Sequence, residues 1–441
     1  MKVLVAIHHF PPRYTSGAEL RAYRTAKWLQ DHGHSVPVIC VEAIDGGDGP
    51  DLTYEDDVYH GLLVRRLSFN LAATPDPFRW TYDNPWIGEH LRGYLVELAP
   101  HVFHLISGYL MSGSTLRAAH DLGIPTVVTL TDFWFLCPRI TLLRSDGQLC
   151  VPPFDAATCA RCLAEEKRRY RIPGRIAPGV MQVFWRTRRE RVAQIQRRMD
   201  FLRETLNGVD AIISPSQFLR EIFIRAGISP KRITSSRQGR DFPNLTSDLL
   251  EKTPASHLRI GYLGQIAPHK GVHVLFEAVR RLPGAALEVK AYGDAAPFLK
   301  YTRRLRQMAR RDSRLNLSGV YERTEVSRVL QGLDVVVVPS LWYENSPNTI
   351  LEAFAHRTPV IASDLGGMAE LVQDGENGVR FAAGDVRSLA DELRRLRDNP
   401  QLLSRLRDGI RAVKSVSEEM AELRDIYRVA ITKSRESKAH Q

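Results

Sequence analysis

Short runs of β-branched and aliphatic residues alternate along the chain with longer stretches in which apolar positions recur every three or four residues, the pattern of strands interleaved with helices. Lys2 to His8 reads as a strand, Gly17 as the turn after it, Ala18 to Asp31 as a helix closed by Gly33, and Ser35 to Val41 as the returning strand of a βαβ unit. Strands over Val102 to Ile106 and Thr126 to Asp132 flank a helix starting near Ser112. The Gly- and Asp-rich segment Ile44 to Asp57 reads as a loop and Pro75 to Trp86 as an irregular excursion. The alternation restarts at Leu258, with a helix over Val272 to Arg281, a strand over Leu287 to Tyr292 and a helix near Pro297 to Arg311. Asp334 to Ser340 holds four consecutive valines, which suits a parallel strand covered on both faces. GVDAIISPS (Gly208 to Ser216) echoes GLDVVVVPS (Gly332 to Ser340), so the chain contains two similarly built halves. The polar stretch Asn244 to Ser256, with Pro254, is expected to link domains over 1–243 and 257–414. Two polar helical patterns follow Asp385, a last helix is expected over Glu418 to Thr432, and the polar tail from Lys433 to Gln441 frays.

The densest chemistry follows the four valines. Ser346 suits an N-cap and Pro347 the first helical position, so a helix is expected from there to about His356. The loop Leu341 to Asn345 then lies at the carboxyl end of a strand, where open α/β sheets bind ligands. The amides of Asn348, Thr349 and Ile350 would face that crevice with the positive end of the helix dipole, a setting that fits a diphosphate. Glu344 precedes the cap, and Glu352 lies four residues beyond Asn348 on the same helix face, leaning back towards the crevice. Two carboxylates beside an anion site make physical sense when they accept hydrogen bonds from neutral hydroxyls, as a sugar and a ribose offer. The plainer alternative is a surface glutamate and a loop charge. GQIAPHKG (Gly264 to Gly271) supplies glycines for close backbone approach and Lys270 for a diphosphate charge, or else a solvated lysine. AYGD (Ala291 to Asp294) and SGVYER (Ser318 to Arg323) end further strands and would frame a base.

Glu344-x7-Glu352 followed by TPVIASDLGGMAELVQDGENGVRF resembles the donor-site signature of the retaining glycosyltransferases of family 4, which have the GT-B fold. The resemblance implies an α/β protein with two Rossmann-like domains facing a cleft, residues 415–441 crossing back to the first. It gives Glu344 the transferred sugar and Glu352 the nucleotide ribose, and makes Gly366-Gly367 a second phosphate-side turn. The donor would lie on Gly264, Gln265, Lys270, Asn345, Ser346, Asn348, Thr349, Ile350 and Glu352, with Glu344 and Lys270 catalytic. The acceptor side would hold Gly17, Glu19 and Asp132, although a turn glycine with an exposed glutamate reads as well for the first two. Two positions depart from the pattern: Thr131 replaces the histidine of a His-Asp segment, so only Asp132 carries over, and Gln265 stands where arginine is common, which shifts load to Lys270. The implied reaction is retaining hexosyl transfer from a nucleoside diphosphate sugar to a glycan or lipid-linked acceptor, in polysaccharide biosynthesis. No Asp-x-Asp stands at the crevice, so transfer without a metal or other cofactor is expected. The alternatives are a sugar-nucleotide epimerase of the same fold, and an inactive membrane-associated nucleotide-sugar-binding protein suggested by Thr131 and Gln265.

Composition narrows the class. With 441 residues, 44% hydrophobic and 25% charged, the chain can build two cores. No run approaches a membrane span and Met1-Lys2-Val3 leads straight into a strand, so a cytoplasmic site is expected, peripheral on the inner face of the plasma membrane. TSGAEL after the first strand is not G-x-G-x-x-G, which removes the main support for a dehydrogenase. The net charge of +11 is concentrated: Arg161 to Arg203 holds 13 basic and 4 acidic residues. There GVMQVFWRTRRERVAQIQRRM sets Val180, Met181, Val183, Phe184 and Trp185 beside arginines, the pattern of a helix on an anionic membrane surface or of a solvated basic helix packed on its domain. No RNA-binding motif accompanies the arginines, so no nucleic-acid partner is expected. Cys137, Cys150, Cys159 and Cys162 follow C-x12-C-x8-C-x2-C, which suits a closed structural zinc, against free thiols or a bridge; Cys40 lies in a core strand.

Overall fold

The computed structural model describes residues 1–45, 51–243, 245–253 and 255–439. The chain divides into two compact units, Met1–Arg237 with Ser417–Gln441, and Gln238–Val416.

In the first unit β1 (Val3–Ile7), α1 (Gly17–Asp31), β2 (Val38–Ala43), β3 (Thr53–Tyr59), β4 (Leu62–Ser68), β5 (Val102–Ile106) and β6 (Thr126–Thr129) precede four helices. These are α2 (Ala156–Ala164), α3 (Arg168–Ile176), α4 (Pro178–Thr187) and α5 (Arg189–Asn207), and β7 (Ala211–Ser214) and β8 (Ile233–Ser235) follow. The sheet runs β3-β4-β2-β1-β5-β6-β7-β8. Every pairing is parallel except β3 on β4. β3 corrects the expected loop at Ile44 to Asp57, of which 46–50 lie outside the described residues. TYEDDVY is exposed along its length, so no apolar alternation announces it. It is held by its ladder and by Arg65 on Asp56 at 2.7 Å and Arg66 on Asp57 at 2.9 Å. The stretch from Pro75 to Trp86 also proves less irregular than expected: a short helix forms at Pro77–Trp80, and Asn84 caps the next helix through the Ile87 amide. The helix expected near Ser112 runs Ser114–Asp121.

In the second unit the elements are β9 (Leu258–Leu263), α6 (Val272–Arg280), β10 (Leu287–Tyr292), β11 (Leu315–Gly319), β12 (Val335–Val338), α7 (Asn348–Ala355), β13 (Val360–Ser363), α8 (Gly366–Leu371) and β14 (Gly378–Phe381). The sheet is wholly parallel, in the order β11-β10-β9-β12-β13-β14. The four valines are buried, as a sheet covered on both faces requires. The order reverses between β9 and β12, and in the first unit between β1 and β5, so each sheet has one switch point where a crevice opens at the strands' carboxyl ends.

The expected linker needs correction. The division falls at 237/238, and residues from Gln238 onward belong to the second unit because their polar side chains bond to it: Lys252 Nζ donates to Leu330 O at 2.5 Å and to Thr358 Oγ1 at 2.9 Å. Asn244 and Pro254 lie outside the described residues. The last helix, α9 (Val416–Ala439), is longer than expected and packs in the first unit through Met420, Leu423, Tyr427 and Ala430. Arg21 on Glu419 at 2.7 Å, Ser236 on Glu422 at 2.6 Å and Tyr427 on His104 at 2.7 Å fasten it there. Among the described residues no helix is long and apolar enough to cross a membrane.

Candidate active site

At the switch point of the second unit, the loops after β9 and β12 are locked together. Leu341 N–H donates to His269 O at 2.8 Å, and Gly271, at φ 75°, lies so close that a Cβ would meet Pro339 O at 1.9 Å. Only glycine allows that approach. The start of α8 joins them: Gly367 N–H donates to Glu344 O at 2.7 Å, and a Cβ on Gly367 would sit 2.0 Å from Asn345 O. Four loop ends therefore form one rigid edge, since a Cβ on Gly293 after β10 would likewise meet Gly264 O at 1.7 Å.

Glu344 stands on this edge with its side chain 12% exposed. Its Oε1 accepts from Lys270 Nζ at 2.6 Å, Trp342 Nε1 at 2.7 Å and Ser340 Oγ at 2.9 Å. Burial pushes its pKa up, but Lys270 with the two neutral donors outweighs burial and holds it below the usual carboxylate value. Lys270 also lies 4.9 Å over the Trp342 ring, and burial beside Lys270 drives His269 down to about 4, so that imidazole is neutral. Glu352, one turn into α7, pairs with Arg240. Here burial prevails over Arg240 and Arg323, and the pKa is raised. Tyr292 and Tyr321 meet edge to face at 5.6 Å, with Tyr321 in electrostatic reach of Glu352.

The helix start differs from expectation. Pro347, with ψ 120°, is the N-cap, and α7 begins at Asn348. Ser346 is therefore no cap; its carbonyl accepts from Gln238 Nε2 at 3.0 Å. Ile350 N–H is spent on Pro347 O at 3.1 Å and its side chain is buried, so Asn348 and Thr349 supply the outward amides. Asn348 Oδ1 accepts from Gln238 Nε2 at 2.7 Å, and Thr349 Oγ1 donates to Leu263 O at 3.0 Å. Gln265 and Gly264 are exposed at the end of β9.

At the switch point of the first unit, Gly17 is not the turn after β1; it is the first residue of α1. Glu19 is 4% exposed and not a solvated charge. It accepts from Ser16 Oγ and lies 3.3 Å from His8 Nε2. Burial pushes its pKa up, but those two partners bring it to about 2. Asp132 closes its own loop, accepting from Trp134 N–H at 2.7 Å and from Ser107 and Thr131 hydroxyls at 3.0 Å.

Two family profiles match the chain: the glycosyl transferase 4-like domain over residues 16–235 and the glycosyl transferases group 1 over 257–399. The chain belongs to the group 1 glycosyltransferases. Among its relatives, the glycogen synthase of Mycobacterium tuberculosis is 26% identical over 421 residues, 92% of this chain and 88% of that one. The alpha-D-kanosaminyltransferase of Streptomyces kanamyceticus is 31% identical over 175 residues, 38% of this chain and 44% of that one. The crystal structure of Anabaena Alr3699/HepE in complex with UDP superposes over 100% of both chains with a TM-score of 0.63 at 17% identity, which shows the GT-B fold.

In this glycosyltransferase sequence reasoning missed Gln238 and Arg240, which serve α7 and Glu352 from the stretch before the expected linker. Their signal was Gly239: a Cβ there would meet Ser415 O at 2.1 Å, so the backbone had to pack closely. Of the five cysteines, four carry the expectation of a structural zinc, with free thiols as the alternative. All five are free thiols, and among the described residues no group of three or more His, Cys, Asp or Glu is arranged to hold a metal. Burial first, then the neighbouring thiols, push Cys150 and Cys159 up to about 12. The basic helices divide their apolar residues: Trp185 is buried against Tyr170 at 5.3 Å, whereas Val180 and Val183 are exposed, as are Ile172 and Ile176.

Proposed function

We propose that this glycosyltransferase moves a hexosyl group, with retention, from a nucleoside diphosphate sugar bound by the second unit to a glycan or lipid-linked acceptor bound by the first. The observation carrying the reading is the shared strand-end edge of Glu344, Lys270, Glu352 and the Asn348 and Thr349 amides. On this reading Lys270 and the α7 amides take the diphosphate, neutralising the charge that develops as it departs. Glu344, released from part of its pairing with Lys270, orients the sugar, and Glu352 with Arg240 takes the ribose. Gly264, Gln265, Asn345 and Ser346 line the donor, and Glu19 and Asp132 shape the acceptor loops. Relatives crystallised with UDP and UDP-glucose support a nucleotide-sugar donor. No catalytic step is assigned to a metal, and peripheral attachment to an anionic membrane is part of the proposal.

The test is incubation with radiolabelled UDP- and GDP-sugars and a membrane lipid extract, with the anomeric configuration of the product read by NMR. Labelled glycolipid or glycan with the donor's configuration supports the reading. Inversion refutes retention, and a new free sugar nucleotide would indicate epimerisation. Glu352→Ala and Lys270→Ala should each lower donor affinity or turnover at least about tenfold, one charge-assisted contact each; unchanged kinetics in both would remove them from the site.

A further inference from the structure

The first unit contains a cavity of about 430 Å³, within the range of about 300–1,000 Å³ usual for small-molecule sites. One wall is built from the residues that follow four parallel strands: Ile44 after β2, Leu71 after β4, Tyr109 after β5 and Trp134 after β6. The cavity thus opens at the carboxyl edge of the sheet, on the side of the loop that carries Asp132. Tyr109 meets His8 edge to face at 5.6 Å, and Trp134 N–H is the amide that Asp132 holds. The opposite wall is the helical excursion: Ala160, Leu163 and Ala164 of α2, Trp185 of α4 and Ile195 of α5.

The lining is apolar and aromatic except for a few polar groups, and its four charged residues, Lys167, Arg169, Arg191 and Arg198, are all cations. Among the described residues none of the four has a carboxylate partner, although arginine elsewhere is paired freely. Arg198 is 1% exposed; one end of its guanidinium donates to Trp134 O, while Nη1 is buried without a hydrogen bond. Burial pushes this guanidinium down to about 10, with only Cys137, Cys159 and Tyr82 leaning the other way. A buried cation facing a cavity without a counter-charge is costly unless an anion enters. Beside the cavity, α3 and α4 expose Ile172, Ile176, Val180 and Val183 among arginines, which fits a lip resting on a lipid surface.

We propose that this cavity holds the lipid end of the acceptor: a hydrocarbon chain lies along Trp134, Leu163 and Trp185, and the phosphate that joins it to the accepting sugar is taken by Arg198 and Arg191. The inference rests on the transfer reaction proposed above and adds to it the acceptor's class, a lipid phosphate.

Binding to the full-length protein is read from the fluorescence of Trp134 and Trp185, using farnesyl phosphate, farnesol and inorganic phosphate as probes and UDP as a control ligand. Farnesyl phosphate should quench saturably, at least about tenfold more tightly than farnesol or phosphate alone. Ala164→Trp, which fills the cavity, and Arg191→Glu, an exposed change that leaves the core intact, should each weaken it about tenfold with UDP binding unchanged. Equal affinity for farnesol, undiminished quenching in both variants, or a response only to phosphatidylglycerol vesicles would overturn the proposal. Transfer to a soluble glycan without farnesyl phosphate binding would sink the cavity assignment alone. Loss of UDP binding by the wild type would instead sink the donor assignment alone.

Discussion

Replacing Lys270 with alanine takes the cation away from a carboxylate that is nearly enclosed. Glu344 keeps the donors Ser340 and Trp342, so it is not orphaned, but it loses the ion pair at 2.6 Å that opposes its burial. Removing one partner of a buried pair costs about 3–5 kcal/mol. Lys270 is 23% exposed and two donors remain, so the cost here is about 2–3 kcal/mol. In a domain of 150–250 residues each kcal/mol moves Tm by about 2–4 °C, which predicts a fall of about 4–12 °C for the unit that carries the pair. The pH dependence gives a sharper signature. In the wild type the folded pKa of Glu344 lies below its usual value of 4.5, so the stability it adds is constant at neutral pH and is lost only as pH falls below that value. Without Lys270, burial dominates and the folded pKa rises above 4.5, so the variant should gain stability relative to wild type as pH falls from 7 to 5. The Lys270→Ala, Glu344→Gln double variant should be flat over the same range and recover part of the lost Tm. Differential scanning calorimetry of the three proteins at both pH values makes the test. A Lys270→Ala curve parallel to wild type, or a double variant no better than the single, would refute the enclosed charged pair.

Gly271→Ala should cost about 3 kcal/mol or more, because a Cβ 1.9 Å from Pro339 O forces the two loops apart, whereas Gly284→Ala, also at positive φ but in open space, should cost only about 1 kcal/mol of backbone strain; urea denaturation compares them. His104 is buried between Tyr427 and Thr129 and burial lowers its pKa to about 3, so the unfolded chain gains a proton below about pH 6.5 that the folded one refuses. The first unit should therefore lose about 2 kcal/mol between pH 7 and 5, and His104→Gln should remove that loss; equal slopes in the two proteins would disprove it. Cys150 and Cys159, raised to about 12 by burial and neighbouring thiols, should react with iodoacetamide at pH 8 far more slowly in the folded than in the unfolded protein, and stoichiometric zinc in the purified protein would decide for metal over free thiols.

The sheets were legible because strands buried on both faces leave continuous apolar runs, as at Val335–Val338, and the pairing of Lys270 with Glu344 could be sought because both stand in loops that follow such runs. β3 was not, since an exposed edge strand made of TYEDDVY carries no periodic signal and draws its order from the arginines of β4. Pro347 misled by one position: its fixed φ suits the first turn, but its ψ is extended, so the helix starts after it. Arg240 and Gln238 lay in a polar segment whose role depends on bonds to residues more than a hundred positions away. The cavity residues, drawn from Ile44 to Arg198, share no local pattern at all.

The first unit is closed by residues that arrive at the end of the chain. Met420, Leu423 and Tyr427 fill its surface only after Gln238–Val416 has been synthesised. During translation the amino-terminal unit must therefore wait, with the groove for α9 uncovered and His104 without its tyrosine, while the unit begun later has all its own residues first. A chain truncated at residue 416 would hold every residue of the second unit while leaving bare the face of the first that Met420, Leu423 and Tyr427 cover.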